Sequence, residues 1–467
     1  MKLKLTFALA LAFLSLPELQ AGGLMTNTNY HIAFDRMFAR GATTEIDAAF
    51  SNPAGLAWGH EGWQMSLNFQ KPWQHRDIEL DGKTYEGVAS APIVPALFAS
   101  YKKERLALSA MIGIVGSGGF VKYSDGVPMF NVLLNKTIGD VTGGLASVTA
   151  GAIPPVTPDQ YAIDSEIKGK QYIYGGQLNV AYRVADCLSG AVGLRANYYD
   201  GYYRGHVIAG EHPTKGTLAK LLLDVDQKGW GFTPVVSINF HKGPLTLSAR
   251  YEFRTKISTT NDTNVLEAEL NTTGLVEEPL AGLVMAGAAT PEQAVAVAKG
   301  IQEKMSGGLG AYTAPYEDGA KTRYDMPSLL SVAAGYEFTP KLRAAIEYHF
   351  FDDRSARMGG DRQKELTHGT HEFLAGVEYD ISKKFTVSCG GQRTDYGLSD
   401  GYQQNTSFAC DSYSVGLGGA WNISDKVRLN ASYFCSLYSD YDKQAAYGTE
   451  TYSRTNHVIG VGLDYKF

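Results

Sequence analysis

Leu330-Ser331-Val332-Ala333-Ala334-Gly335-Tyr336-Glu337-Phe338 carries apolar residues at its even positions and small or polar ones at its odd positions. Only Thr339-Pro340-Lys341 separates it from a second such run, in which Leu342, Ala344, Ile346, Tyr348 and Phe350 share one face and Arg343, Ala345, Glu347 and His349 share the other. Successive side chains of an extended chain point to opposite faces, so each run is a strand with one greasy side. The short polar break makes the pair a hairpin.

Working outward, the same unit recurs along the chain. Short turns centre on Lys102-Lys103-Glu104, Ala185-Asp186-Cys187, His241-Lys242-Gly243, Thr339-Pro340-Lys341, Ile381-Ser382-Lys383 and Ser424-Asp425-Lys426, and longer polar or glycine-rich loops separate the pairs. These six hairpins supply twelve strands, and an opening strand from Trp63 to Trp73 with a closing one from His457 to Phe467 makes fourteen. An even number of antiparallel strands, short turns at one end and long loops at the other match a bacterial outer-membrane barrel. Within a bilayer every backbone polar group needs a partner, which strands achieve only in a closed sheet. The expected fold is therefore all-β: a 14-stranded antiparallel transmembrane β-barrel, with short helices in its long loops.

Composition agrees. The 467 residues hold 42 Lys and Arg against 48 Asp and Glu, a net charge of −6, and charged residues are only 19 % of the total. With 52 Gly, 28 Tyr, 20 Phe and 17 Pro the chain suits glycine-punctuated strands and excludes collagen, coiled coil and disorder. It has no basic run, which argues against a nucleic-acid partner. Lys2 and Lys4 precede an apolar run from Leu5 to Leu14, and Gln20-Ala21-Gly22 offers a cleavage point, so residues 1–21 are expected to be a signal peptide. The four cysteines, Cys187, Cys389, Cys410 and Cys435, fit neither a disulfide scaffold nor a zinc pattern. By strand parity Cys410 faces the lumen and Cys435 the lipid, so these two are not expected to pair.

Residues 22–62 do not alternate, and a barrel of this girth has a lumen to fill. They are expected to form an N-terminal hatch, with residues 63–467 as the barrel. Within the hatch, Asn52-Pro53-Ala54-Gly55 reads as a turn.

The run Asn52-Pro53-Ala54-Gly55-Leu56-Ala57 ahead of the first strand, with Gly41-Ala42, Glu45 and Asp47 before it, resembles the hatch of the FadL/TodX family of outer-membrane transporters for hydrophobic compounds. Met326-Pro327-Ser328-Leu329-Leu330 leading into Ala334-Gly335-Tyr336 and Glu347-Tyr348 is similar to that family's central hairpin. Trp230-Gly231-Phe232 and the ending Gly462-Leu463-Asp464-Tyr465-Lys466-Phe467, with Leu463, Tyr465 and Phe467 on one face, extend the resemblance over the mature chain. Gly460 departs from the assembly signal of such barrels, which usually has a polar residue there. The resemblance implies a monomer in the bacterial outer membrane, in contact with outer-membrane lipid. It also implies passive uptake of a long-chain fatty acid or an aromatic hydrocarbon, with lateral release through a kinked third strand.

Several residues bear on that expectation. The third strand, Leu106 to Tyr123, contains Gly113, Gly116, Gly118 and Gly119, which favour a bulge or bend. The same glycines could instead let the hatch approach the wall. Two long loops are unusually apolar, and by the resemblance they form a docking groove with Phe130, Leu133, Leu134, Leu283 and Met285 as candidates; the alternative is a lid packed on itself. A helix is expected over Glu292–Met305, with Pro291 at its start. Parity points Arg195, Arg250, Arg254, Arg343 and Arg428 inward, where one could meet a ligand carboxylate. Glu252, Glu337, Glu347, Glu372 and Glu378 also point inward, so those arginines could equally hold the hatch through Asp35, Arg36, Arg40 and Asp47. The histidines sit in no catalytic arrangement, so no enzyme, cofactor or metal is expected. A general diffusion porin or a structural outer-membrane protein is the competing reading; porins lack the forty residues before strand one.

Overall fold

The computed structural model describes residues 30–91 and 93–467, so the expected signal peptide and residues 22–29 lie outside the described residues. Fourteen antiparallel staves form the wall. They are β1 (Gly62–Leu80), β2 (Lys83–Tyr85, Gly87–Ser90 and Val94–Lys103), β3 (Leu106–Tyr123), β4 (Ala162–Ala185), β5 (Leu188–Gly210) and β6 (Ala219–Lys242). Next come β7 (Leu245–Glu252 and Ser258–Leu270), β8 (Lys321–Arg323 and Leu329–Thr339), β9 (Leu342–Phe351) and β10 (Thr370–Asp380). The last four are β11 (Phe385–Asp395), β12 (Ser412–Asn422), β13 (Val427–Tyr438, resumed at Tyr441–Ala445) and β14 (Gly448–Lys466). Each pairs with its neighbours, and β14 returns to β1 in a register running from Gln64 opposite Lys466 to Glu79 opposite Thr451. The sheet is closed, and the six short turns fall where the sequence puts them.

The period-two pattern translates directly into two faces. Tyr413, Val415 and Leu417 of β12 are exposed to the outside while Ser412 and Ser414 are buried toward the lumen. Staves β4, β5 and β6 are 24, 23 and 24 residues long, whereas crossing the hydrocarbon takes about 9–11 residues. Their outer surface changes accordingly. Near the short turns it carries Leu178, Val180, Val192, Leu194 and Phe232. Farther up it carries cross-strand ion pairs, Lys170 with Asp200 at 2.6 Å and Arg204 with Asp224 at 2.9 Å, suited to water above the membrane.

Two helices and a 3₁₀ turn precede the wall: α1 (Ile32–Met37), α2 (Ala48–Ser51) and Pro53–Trp58. Their side chains are buried almost throughout because the segment runs inside the barrel. His31 Nε2 lies 3.1 Å from Asp464 of β14 and 3.0 Å from Ser66 of β1, and Asn68 accepts from the Ile32 amide at 3.1 Å. On the opposite wall Gly376 of β10 and Gly390 of β11 face each other in register. A Cβ on either would sit 2.0 or 2.1 Å from the Met37 carbonyl oxygen, so only glycine admits the segment there. A Gly390→Val barrel is expected to displace α1 and lose its heat-resistant folded band on cold electrophoresis at a lower temperature than the parent, because backbone cannot yield as a side chain can. An unchanged transition would show that α1 does not depend on this contact.

Helix α3 (Pro128–Val148) occupies the loop between β3 and β4, and α4 (Glu278–Met285) and α5 (Pro291–Thr313) the one between β7 and β8. The second of these extends the helix expected over Glu292–Met305. Phe130, Leu134, Ile138, Val141 and Leu145 line the buried stripe of α3 at helical spacing.

Candidate functional site

Two apolar clusters stack inside the barrel. The upper one joins α3, through Phe130, Leu134 and Ile138, to the inner faces of β3, β5 and β6, including Val121, Tyr203, Val207 and Val225. The lower one joins Ile46, Ala49, Phe50 and Leu56 of the N-terminal segment to Phe98, Met111, Val115, Ile173 and Tyr199 of the wall. Three tyrosines connect them. Tyr203 and Tyr324 hydroxyls are 3.0 Å apart, and the Tyr324 and Tyr199 rings stack at 4.8 Å.

At the top of this column an apolar cleft lies between Phe130, Ile167, Tyr203, Val207, Leu221, Leu223 and Tyr316, with Thr406 at its edge. It holds about 420 Å³ of non-protein space, counting the open solvent at its mouth.

Beside the lower cluster the wall itself is interrupted. Staves β2 and β3 pair from Lys103 opposite Leu106 to Leu97 opposite Ile112, and again from Ala89 opposite Val121 to Gly87 opposite Tyr123. Between these stretches, from Gly113 to Phe120, the β2–β3 register lapses among the described residues. On its other side β3 stays paired with β4, but the register slips between Ile114 and Gly116 and again between Ser117 and Gly119. Gly113, Ile114, Val115 and Gly116 are buried in succession, so the alternation of faces is lost. Gly119 adopts φ +72°, open to glycine at little cost. Val115 turns inward against Gly175 of β4, where a Cβ would stand 2.5 Å from a Val115 methyl.

Beside the lower cluster the lumen is charged. Arg195 pairs with Glu252, and Arg250 lies 3.2 Å from the same carboxylate; both guanidiniums stand 5.5 Å from the Phe50 ring. The belt continues through Glu347 and Glu372, which flank His349 at 2.6 and 2.9 Å. Glu347 also accepts from the Arg40 and Gly41 amides of the N-terminal segment at 2.8 and 2.7 Å. Arg36 pairs with Glu378 and donates to Ser388 at 2.7 Å, and Arg428 reaches Glu45 at 2.7 Å. Burial pushes the Asp35 carboxyl of α1 well above the ordinary carboxylate range, against a lowering hydrogen bond from Ser432.

The sequence-derived residues divide clearly. Asn52 donates to Asn239 at 3.0 Å, the Ala54 amide donates to Ser237 at 3.0 Å and its carbonyl accepts from Ser189 at 2.7 Å. Pro53 opens the 3₁₀ turn, and a Cβ on Gly55 would meet the Thr43 carbonyl at 2.3 Å. Gly113, Gly116, Gly118 and Gly119 all fall where the β2–β3 register lapses. Phe130 lines the cleft and Leu134 is buried beneath it, while Leu133 is half-buried. Leu283 is half-buried and Met285 is 84 % exposed, so neither joins the cleft. Arg254 is exposed and donates to the Ser355 carbonyl, because it falls between the two pieces of β7 where strand parity no longer holds. Arg343 engages Glu378 and Asp380 near the short-turn end. Glu337 is exposed rather than buried in the lumen. Cys410 is buried just before β12, and all four cysteines are free. The cleft tyrosines and Leu221 and Leu223 escaped the sequence reading, since nothing in a strand's pattern marks which inward residues line a void.

Residues 280–467 match the outer membrane protein beta-barrel domain. A search of curated protein sequences returns no match. Among solved structures, a FadL homologue of Pseudomonas aeruginosa superposes with a TM-score of 0.62 at 13 % identity, over 95 % of this chain and 100 % of that one. The toluene transporter TodX of Pseudomonas putida gives 0.57 at 12 % identity, over 97 % and 99 %. TbuX, a toluene transporter of Ralstonia pickettii, gives 0.51 at 13 %, over 90 % and 94 %. The chain is thus a closed β-barrel whose fold, from the segment inside its lumen to its closing strand, is that of the FadL homologue and the toluene transporters, and its C-terminal part matches the outer membrane protein beta-barrel domain.

Proposed function

We propose that this protein is a non-enzymatic, monomeric transporter of the FadL type, with residues 1–21 as signal peptide, residues 22–62 as hatch and residues 63–467 as barrel. It takes up hydrophobic compounds passively, long-chain fatty acids foremost. The solute docks in the cleft beside Phe130, passes the three tyrosines and leaves sideways through the break between β2 and β3. That break is the observation that carries the reading, because it opens onto the lower apolar cluster. Continuing straight down would take the solute across the Arg195–Glu252–Arg250 and Glu347–His349–Glu372 belt. A greasy chain leaving into water instead of lipid would forgo about 0.8 kcal/mol per methylene. The solved structures named for toluene transport support the hydrophobic class and leave aromatic hydrocarbons as the second substrate class.

Cells carrying the protein should take up labelled oleate saturably, and labelled toluene to a lesser extent, relative to cells with an empty vector or an ordinary porin. Passage of small sugars with uptake of neither hydrophobic compound would return the function to diffusion.

A further inference from the structure

Resting on that reading, we infer that Arg76 and Arg454 form a binding site for the anionic head of an amphiphilic substrate, making a carboxylate-bearing solute the preferred one. The two residues face each other across the seam of the barrel, Arg76 on β1 and Arg454 on β14, in direct register. Both share the inward parity of Asn68, Gln70 and Ile78 on β1 and of Tyr452, Asn456 and Val458 on β14, which are buried, and are themselves half-buried. Like charges placed opposite one another on a sheet repel, and a guanidinium taken from water needs a compensating partner. Yet no ion pair or side-chain hydrogen bond to either arginine is found among the described residues, and the Nε of each is buried without an acceptor.

Every other arginine considered for this role is engaged. Arg195, Arg250, Arg343 and Arg428 have carboxylates, and Arg254 has a backbone carbonyl. Phenols stand around the pair. Arg454 lies 4.7 Å from the Tyr438 ring, and Tyr123 and Tyr396 are within electrostatic reach of Arg76. Two forked donors flanked by neutral hydroxyls suit one carboxylate, which accepts from both and removes their repulsion.

The location suits a substrate on its way out. Gln74 lies opposite Ala89, and Ala89 opposite Val121, so Arg76 sits just above the upper end of the stretch where the β2–β3 register lapses. Ile78 and Tyr452, the next inward pair up the seam, belong to the upper apolar cluster. A head held on the arginines leaves its tail free to lie among Val121 and the cluster and to enter the gap.

The test is equilibrium binding to the purified full-length barrel in a non-ionic detergent, using oleate and oleyl alcohol, which share a tail and differ in the head. The wild-type protein should bind oleate about tenfold more tightly than the alcohol. In Arg76→Gln/Arg454→Gln that preference should vanish through loss of oleate affinity alone, and Arg76→Lys/Arg454→Lys should retain most of it. Equal affinities in the wild-type protein overturn the inference and leave the transporter standing. A glutamine variant that keeps the preference, or weakens both ligands alike, also overturns it. Binding of neither ligand by the wild-type protein overturns the inference together with the transporter reading. Should the glutamine variant fail to fold, the wild-type comparison decides alone.

Discussion

Deleting residues 22–61 is expected to turn a closed barrel into a stable open pore in planar bilayers, with single-channel conductance raised on the order of tenfold or more, as a lumen of this girth fills with water. The deleted segment removes the backbone and side chains that fill the lumen from His31 to Ala57. It also removes Arg36, the Arg40 and Gly41 amides and Glu45, partners of Glu378, Glu347 and Arg428 on the wall. Those wall charges are not stranded in a dry site, because water reaches them as the segment leaves. Desolvation costs are therefore relieved rather than incurred, and the barrel should still assemble, its wall being closed by β1 on β14 alone. A deletion that assembles and conducts no better than the parent would show that closure resides in the loops.

Replacing Gly116, Gly118 and Gly119 by valine should cut the initial rate of oleate uptake by about tenfold, since a valine held at the left-handed backbone of Gly119 costs roughly 1–3 kcal/mol. The relief available to such a strand is to return to the extended region, which straightens β3 and restores its pairing with β2. The gap closes while the cleft beside Phe130, on β4 to β6, keeps its shape. Equilibrium binding should consequently stay within about twofold of the parent, because none of the three glycines lines that cleft. Uptake unchanged by the triple substitution would sink the lateral exit, and loss of binding along with uptake would mean that the gap and the cleft are one structure.

The architecture was legible because a barrel writes its rules along every strand. The Leu330–Phe338 and Leu342–Phe350 runs declare two faces, and a closed sheet follows from the bilayer's demand on the backbone. The glycines of β3 were legible for the same reason: Gly113, Gly116, Gly118 and Gly119 interrupt a pattern that is strict elsewhere. Parity failed where the chain leaves the ladder, as at Arg254 between the two pieces of β7, and near the short-turn rim, where Glu337 is exposed. It also stopped too soon. The opening strand was expected to end at Trp73 and the closing one to begin at His457, whereas the ladder runs on to Glu79 and Thr451. Arg76 and Arg454 lie in those extensions, beyond the apolar band where alternation is easiest to see. The cleft was illegible for a further reason, since it is assembled from α3, three staves and Tyr316, distant in sequence and joined only by packing.

His31, at the entry to α1, bonds to both sides of the seam, to Ser66 on β1 and Asp464 on β14. Those two residues also bond to each other at 2.6 Å. A contact that needs three elements in place is lost when any one departs, so seating the N-terminal segment reinforces the zipping of the first strand to the last, which β1 and β14 also complete by themselves. In assembly, the cylinder that closes around its own leading segment is the one whose closure that segment stabilises, and an empty barrel should be the one whose seam opens first.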